Sequence, residues 1–350
     1  MNKKQWILSV IAAILFCVGL LLMLLVSVLF SDSANPEPTE SVSDPVTEAA
    51  TIADTEPATE PITEPTEPPV TETTAPALIP TTDTMDPGTL GMTASHAFVY
   101  DTSANLLKYA GGDSNAHLAP ASLTKLLTAY TALQFMDLDT IITVGEEVNE
   151  IDPESSVAFL RPGHKLSVEM LIQALMLPSG NDAAYTIAVA GGRILSENPD
   201  LYWKDAFDLF VTEMNEQSRR IGMTNSQFKN PDGIDIDGHY TTVNDLIILT
   251  KTVLKSDMIM RSAGTDKLDA VFFSGETVTW YNSNYFLHQD SEYYMPNAVG
   301  LKTGSTDNAG RCLISLFLQE DGSYLIIGVL GSESDNARYD DTLILYHRYM

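Results

Sequence analysis

Ala119-Pro120-Ala121-Ser122-Leu123-Thr124-Lys125 opens an apolar stretch continued by Leu126, Leu127, Tyr130 and Leu133, the spacing of a buried helix face. Pro120 suits the first turn of that helix, because its missing N–H would have been unpaired there anyway. Ser122 and Lys125 are three positions apart, so their side chains project from one face and can meet. A serine hydroxyl is a weak nucleophile at neutral pH and needs a base beside it. Lysine fills that role only where burial or a neighbouring cation lowers its pKa. Alone the pair carries little, since Ser-x-x-Lys arises by chance about once in a chain of this size. A helix start with a surface lysine explains it equally well.

Two further motifs change the balance. Pro178-Ser179-Gly180-Asn181 lies between the apolar run 171–177 and a helix starting near Asp182. A polar triplet between two buried helices is placed to face a cleft, although an ordinary helix cap reads the same way. Gly300-Leu301-Lys302-Thr303-Gly304-Ser305 precedes two strand-like runs. There Gly304, after Lys-Thr, lets a substrate backbone approach an edge strand closely, and the lysine supplies a fixed positive charge. Its plain alternative is a solvated strand end with a turn glycine.

Around these motifs the chain from 91 to 350 alternates apolar runs with turn signals. Residues 97–100 and 106–109 read as a hairpin, and 311–318 and 324–330 as strands around the turn Glu320-Asp321-Gly322. Between them lie helices starting at Ser122, Ser167 and Asp182, a longer one ending near Gly222, and one capped at Thr242 with Asp245 three residues later. Strands at both ends with helices between them predict an α+β domain whose terminal strands share one largely antiparallel sheet packed against a helical cluster.

The N-terminal quarter has another texture. Residues 6–30 are uncharged and mostly apolar and follow Lys3 and Lys4. As a helix rising about 1.5 Å per residue they span the roughly 30 Å of a hydrocarbon core. The positive-inside rule then keeps the N-terminus cytoplasmic and exports the rest, making a single-pass cell-membrane protein with an extracytoplasmic domain. A cleaved signal peptide is the rival reading, but the run is longer than a signal core and ends without a clean small-x-small site. Residues 31–90 hold thirteen Asp or Glu, no Lys or Arg, and a Thr-Glu-Pro unit repeated at positions 55, 59, 63 and 66. Such a segment builds no core and is expected as an extended, disordered stalk, reaching at most about 180 Å at roughly 3 Å per residue.

Composition excludes other classes. A formal net charge of −28 repels phosphate backbones, so nucleic acid is not an expected partner. Cys17 lies in the apolar run and Cys312 in the folded part, so no disulfide staples the domain. The six histidines are scattered without metal-ligand spacing, and neither a metal nor a cofactor is expected.

The three motifs in this order resemble the signature of the penicillin-recognising serine enzymes: Ser-x-x-Lys, Ser-x-Asn and Lys-Thr-Gly. More closely, the chain resembles the low-molecular-weight penicillin-binding proteins that are D-alanyl-D-alanine carboxypeptidases. The likeness runs over about residues 95–350 and takes in Leu177-Pro178-Ser179-Gly180-Asn181-Asp182-Ala183-Ala184, Asn230-Pro231-Asp232-Gly233, His239-Tyr240-Thr241-Thr242 and Leu301-Lys302-Thr303-Gly304. It implies a β-lactamase/transpeptidase-like fold and a substrate class, peptidoglycan stem peptides ending in D-Ala-D-Ala. Ser122 would attack the carbonyl between the terminal D-alanines, and Lys125 would take its proton. Ser179 would relay a proton to the leaving D-alanine beside Lys302, and Asn181 would orient the substrate amide. Thr303, in the strand closed by Gly304, and Arg338 would meet the terminal carboxylate; the backbone N–H groups of Ser122 and Ser305 would hold the oxyanion. His239 is expected to be a packing and turn residue.

Two alternatives are carried with that implication. A class A-like β-lactamase would share the motifs but often uses a Glu to activate water, and no Glu-x-x-x-Asn follows Asn181; β-lactams are therefore expected to acylate Ser122 and leave slowly. A wall-binding or sensor protein without chemistry would be marked by loss of the nucleophile or a lysine, and all three are present. Longer carboxypeptidases of this kind add a C-terminal β-domain and an amphipathic membrane helix, whereas Met350 follows the last helix of the catalytic domain here, so anchoring is expected at the N-terminus.

Overall fold

The computed structural model describes residues 81–152 and 154–350. The apolar run 6–30 and residues 31–80 lie outside the described residues. Among the described residues no helix is long and apolar enough to cross a membrane.

The sheet is built from both ends of the folded chain. Strands β1 (Thr81–Asp83), β2 (His96–Asp101), β3 (Leu106–Gly111), β8 (Ala298–Thr306), β9 (Gly310–Leu318) and β10 (Tyr324–Ser332) form six strands in the order β1-β3-β2-β10-β9-β8. All neighbours run antiparallel except β1 beside β3. The closing pair sets Ile327 of β10 opposite Val99 of β2, which joins the N-terminal hairpin to the C-terminal strands.

Both faces of this sheet are covered, and for that reason its central strands read as continuous apolar runs. Ala97, Val99, Leu313, Phe317, Leu325 and Ile327 pack with Tyr339 and Leu345 of the C-terminal helix α7 (Asp335–Tyr349). Phe98, Tyr100, Ile314, Leu316 and Ile326 face the opposite way, into the helical cluster. Each such side chain contributes roughly 1.5–3 kcal/mol on burial. Gly328 in β10 is required by that packing, because a Cβ there would lie 2.1 Å from the Phe98 ring.

The helical side comprises α1 (Thr124–Ala132), α2 (Val168–Met176), α3 (Asn181–Leu195), α4 (Trp203–Arg220), α5 (Val243–Val253) and α6 (Asp257–Gly264). The predicted starts at Ser167 and Thr242 are true caps: their side chains accept hydrogen bonds from the Met170 and Asp245 N–H groups. Of α1, every residue but Tyr130 is buried, Lys125 included. It is preceded by a tight turn at Ala121–Leu123, so Ser122 stands just before the regular helix. Two small hairpins, β4 (Ile141–Thr143) with β5 (Lys165–Ser167) and β6 (Lys267–Val271) with β7 (Thr277–Tyr281), flank the cluster; alternation did not mark them.

The folded part also begins earlier than position 91. Thr81–Asp83, within the range read as stalk, pairs with Leu107 and Tyr109, and Pro87 is buried. An edge strand needs only its backbone to pair, so a polar Thr-Thr-Asp run suffices. The Tyr109 hydroxyl then donates to the Met85 carbonyl at 2.9 Å and the Tyr349 hydroxyl to Asp83 at 2.6 Å. The α+β class and the shared sheet match the expectation.

Candidate active site

Three elements meet around the start of α1: the α2–α3 connection, the edge strand β8, and the loop Asn230-Pro231-Asp232-Gly233. Lys125 Nζ lies 2.9 Å from Ser122 Oγ, 2.6 Å from Asn181 Oδ1 and 2.7 Å from the Asp232 carbonyl oxygen. A neutral lysine amine has two N–H groups and one lone pair. The two carbonyl oxygens accept the two N–H groups, so the lone pair is left facing the serine hydroxyl. Burial pushes the Lys125 pKa down to about 8, against the opposing fields of Asp232 and Asp182. A usable fraction of base is therefore present near neutral pH.

Lys302 is 1% exposed in the middle of β8. Burial, and then the positive charges of Lys125 and Arg338, hold its pKa well below the usual lysine value. Lys302 thus feels the charge of Lys125. Lys302 Nζ donates to the Thr303 carbonyl at 3.1 Å.

Ser179 sits in left-handed backbone at φ 63°, a conformation costing a non-glycine residue of order 1–3 kcal/mol. Its Oγ is buried and has no hydrogen-bond partner. A buried hydroxyl without a partner is uncommon among buried polar groups. Asn181 follows, with its N–H on the Ser156 carbonyl at 2.8 Å. Asn181 thus holds the base as well as lining the cavity.

Glycines make room for the nucleophile's turn. A Cβ on Gly233, whose φ is 93°, would fall 1.8 Å from the Ala121 carbonyl oxygen and 3.0 Å from the Ser122 nitrogen. On Gly304 it would lie 3.1 Å from Ala121 Cβ and 3.2 Å from the Ser122 nitrogen. The Lys-Thr-Gly glycine therefore seats the nucleophile's turn against β8.

Ser122, Asn181, Gly233 and Ser305 line a cavity of about 400 Å³ whose rim carries Asp152 and Asp235. Asp235 accepts from Thr306 Oγ1 at 2.8 Å and from the Asn308 N–H at 2.9 Å. Arg338, from the first turn of α7, donates to Ser305 Oγ at 3.2 Å and pairs with Asp335 at 2.9 Å. Thr303 Oγ1 is 2.6 Å from Ser283 Oγ. Of the nine residues singled out from sequence, Ser122, Asn181 and Ser305 line the cavity, Lys125 and Arg338 contact Ser122 and Ser305, Lys302, Thr303 and Gly304 lie on β8 beside Ser305, and Ser179 precedes Asn181 by two positions. Asp232, Gly233 and Ser283 were given no role there, since a backbone carbonyl, a missing side chain and a lone serine leave no spacing to read.

Asp182 was also without a role. It is buried and accepts from the Ala158 N–H at 2.8 Å and the Leu160 N–H at 2.8 Å, which pins the segment following the cavity wall at Ser155 and Ser156. His239 is buried as expected, 3.1 Å from Thr124 Oγ1. Among the described residues no group of His, Cys, Asp and Glu gathers as a metal site would.

A family model described as D-alanyl-D-alanine carboxypeptidase matches residues 82–334. A D-alanyl-D-alanine carboxypeptidase of Streptomyces sp. K15 is 30% identical over 290 residues, covering 75% of this chain and 93% of its own. The Bacillus subtilis D-alanyl-D-alanine carboxypeptidase DacF is 29% identical over 208 residues, 57% of this chain and 48% of that one. The chain thus spans about half the length of the Bacillus relative. Among solved structures, the Streptomyces K15 DD-transpeptidase superposes with a TM-score of 0.66 at 27% identity, over 73% of this chain and 96% of that one.

Proposed function

Because the chain belongs to the D-alanyl-D-alanine carboxypeptidase family, we propose that it removes the terminal D-alanine from peptidoglycan stem peptides through an acyl-enzyme on Ser122. The observation that carries this reading is the three-point grip on Lys125, which leaves its lone pair no partner but Ser122 Oγ. Lys125 takes the serine proton as Oγ attacks the carbonyl between the two D-alanines. The C–N bond breaks, Ser179 passes a proton to the leaving amine, and D-alanine departs. Water then attacks the ester, a proton returns to Ser122, and the shortened peptide is released. Lys302 holds the relay between the two amines. Thr303, Ser305 and Arg338 take the terminal carboxylate, and the Ser122 and Ser305 N–H groups face the oxyanion.

β-Lactams acylate the same serine and leave slowly on this reading. The test is incubation of the full chain with a diacyl tripeptide ending in D-Ala-D-Ala, following free D-alanine. Release from the parent and none from Ser122→Ala is expected; no release from the parent overturns the proposal. Rapid nitrocefin turnover would instead assign a β-lactamase. The solved Streptomyces K15 relative is titled a DD-transpeptidase, which favours a second reading: transfer of the acyl group to an amine. Adding an amino-acid acceptor to the same assay separates the two, by a peptide product in place of hydrolysis.

Residues 6–30 serve as the membrane anchor in this proposal, with the acidic segment as a stalk and the peptidase domain outside the cytoplasm. Deleting residues 31–80 while keeping the anchor tests the stalk: unchanged trimming of wall pentapeptides counts against a reach function.

A further inference from the structure

A second cavity, of about 320 Å³, lies between β4, the turn Glu146–Glu150 and one face of α3. Its residues are not those of the cleft around Ser122. Ile141, Ile142, Val189 and Ile194 give it apolar walls, and three polar side chains interrupt them: Glu147, Thr186 and Arg193.

Glu147 and Thr186 each keep one oxygen without a partner, and Arg193 has no ion pair among the described residues. Glu147 is 2% exposed; its Oε1 accepts from the Gly145 N–H at 2.9 Å, while Oε2 has no partner. Thr186 is 1% exposed and its Oγ1 also has none. Arg193 donates from Nε to the Leu201 carbonyl at 3.1 Å. Neither Glu147 nor Arg193 forms an ion pair among the described residues. Thr186, Val189 or Ala190, and Arg193 repeat at three- to four-residue spacing, so α3 presents them together. Leaving a buried carboxylate oxygen and a hydroxyl without partners costs free energy that a ligand with matching groups recovers.

An ammonium satisfies Glu147 Oε2 and the Thr186 hydroxyl, and a carboxylate satisfies the guanidinium. A molecule carrying both enters without net charge. We propose that this cavity binds a free α-amino acid with an apolar side chain: ammonium on Glu147 and Thr186, carboxylate on Arg193, side chain against Ile141 and Ile194. The site does not depend on the peptidase reading, although the D-alanine released by that reaction belongs to the class it takes.

The test is calorimetric titration of the full chain with D-alanine, L-alanine and L-leucine, beside propylamine and propionate, each of which carries only one of the two charges. At least one amino acid is expected to bind ten times more tightly than either half-ligand. Glu147→Gln and Arg193→Gln should each weaken that binding tenfold or more while labelling of Ser122 by fluorescent penicillin is unchanged. Thr186→Val, which keeps the side-chain shape, provides the same reading if Glu147→Gln does not fold. Propylamine binding as tightly as the amino acids, undiminished binding in Arg193→Gln and Thr186→Val, or no saturable binding at all would overturn the proposal; in the last case ordered water satisfies the two oxygens. D-alanine release is assayed separately, so a failed peptidase assay leaves this result readable.

Discussion

Asn181 Oδ1 accepts a hydrogen bond from Lys125 Nζ at 2.6 Å, so the first residue of α3 holds the base as well as facing the cleft. Asn181→Asp keeps the shape and replaces a neutral acceptor with an anion at that distance. An opposite charge so close favours the ammonium form and raises the pKa of the lysine. Penicillin acylation measured against pH should therefore shift its midpoint upward by about one unit or more, as expected for a close ion pair. An unshifted midpoint would mean that Asn181 does not set the charge state of Lys125.

In the parent protein the same logic fixes the direction of the profile. The neutral amine is the active form, and burial holds the Lys125 pKa at about 8. Acylation should rise as pH increases through about 8 and flatten above it. A rate that falls across that interval would assign the proton transfer to another group.

Gly233 and Gly304 both abut the Ala121-Ser122 peptide, but not equally. An added methyl on Gly233 meets a carbonyl oxygen at 1.8 Å in left-handed backbone, whereas on Gly304 its nearest contact is 3.1 Å. Gly233→Ala should lower stability by roughly 1–3 kcal/mol or more and abolish acylation, because the turn must move. Gly304→Ala should retain the fold and acylate more slowly. Thermal unfolding and penicillin labelling of the two variants decide it; the reverse ranking would refute this account of the glycines.

The contrast between those glycines also marks what a sequence can carry. Helices were legible where a cap and a repeat coincide, as at Ser167 and Thr242, and strands where burial on both faces made long apolar runs. Ser122, Lys125, Ser179, Asn181 and Lys302 were picked out because three short motifs in this order resemble a family signature. Thr81–Asp83 was not, since its pairing uses backbone and its composition is that of the preceding acidic segment. Nor was the third contact on Lys125, because any residue at 232 offers the same carbonyl oxygen. Only the fold decides that Asp232 is the one presented.

His239 gives a stability test. Its Nδ1 accepts the Lys229 N–H at 3.3 Å, so Nε2 carries the proton toward Thr124, and burial pushes its pKa down to about 4. The folded protein then resists protonation that the unfolded chain accepts below about 6.5, and stability falls with pH from there to about 4. At about 1.4 kcal/mol per unit, His239→Asn should lose roughly 2 kcal/mol less than the parent between pH 7 and pH 5. Urea unfolding at the two pH values measures this; equal losses would show that His239 is not buried neutral.

Asp182 connects stability to the cleft. Its carboxylate receives the Ala158, Leu160 and Ala183 N–H groups, which only partly offset the burial that raises its pKa. The Trp280 indole also holds this segment, donating to the Ala158 carbonyl at 3.0 Å. Asp182→Asn turns an acceptor into a half-donor and sets an NH2 group against backbone N–H groups that have no solvent to turn to. One such buried mismatch costs about 1–3 kcal/mol, so denaturant unfolding should shift by roughly 3 kcal/mol. The damage should reach function, because Ser156 precedes this segment and its carbonyl takes the Asn181 N–H at 2.8 Å. Slower acylation should therefore accompany the lost stability, and slow even at temperatures where the variant is fully folded. A variant that unfolds early yet acylates at the parental rate while folded would separate the two roles and confine Asp182 to the scaffold.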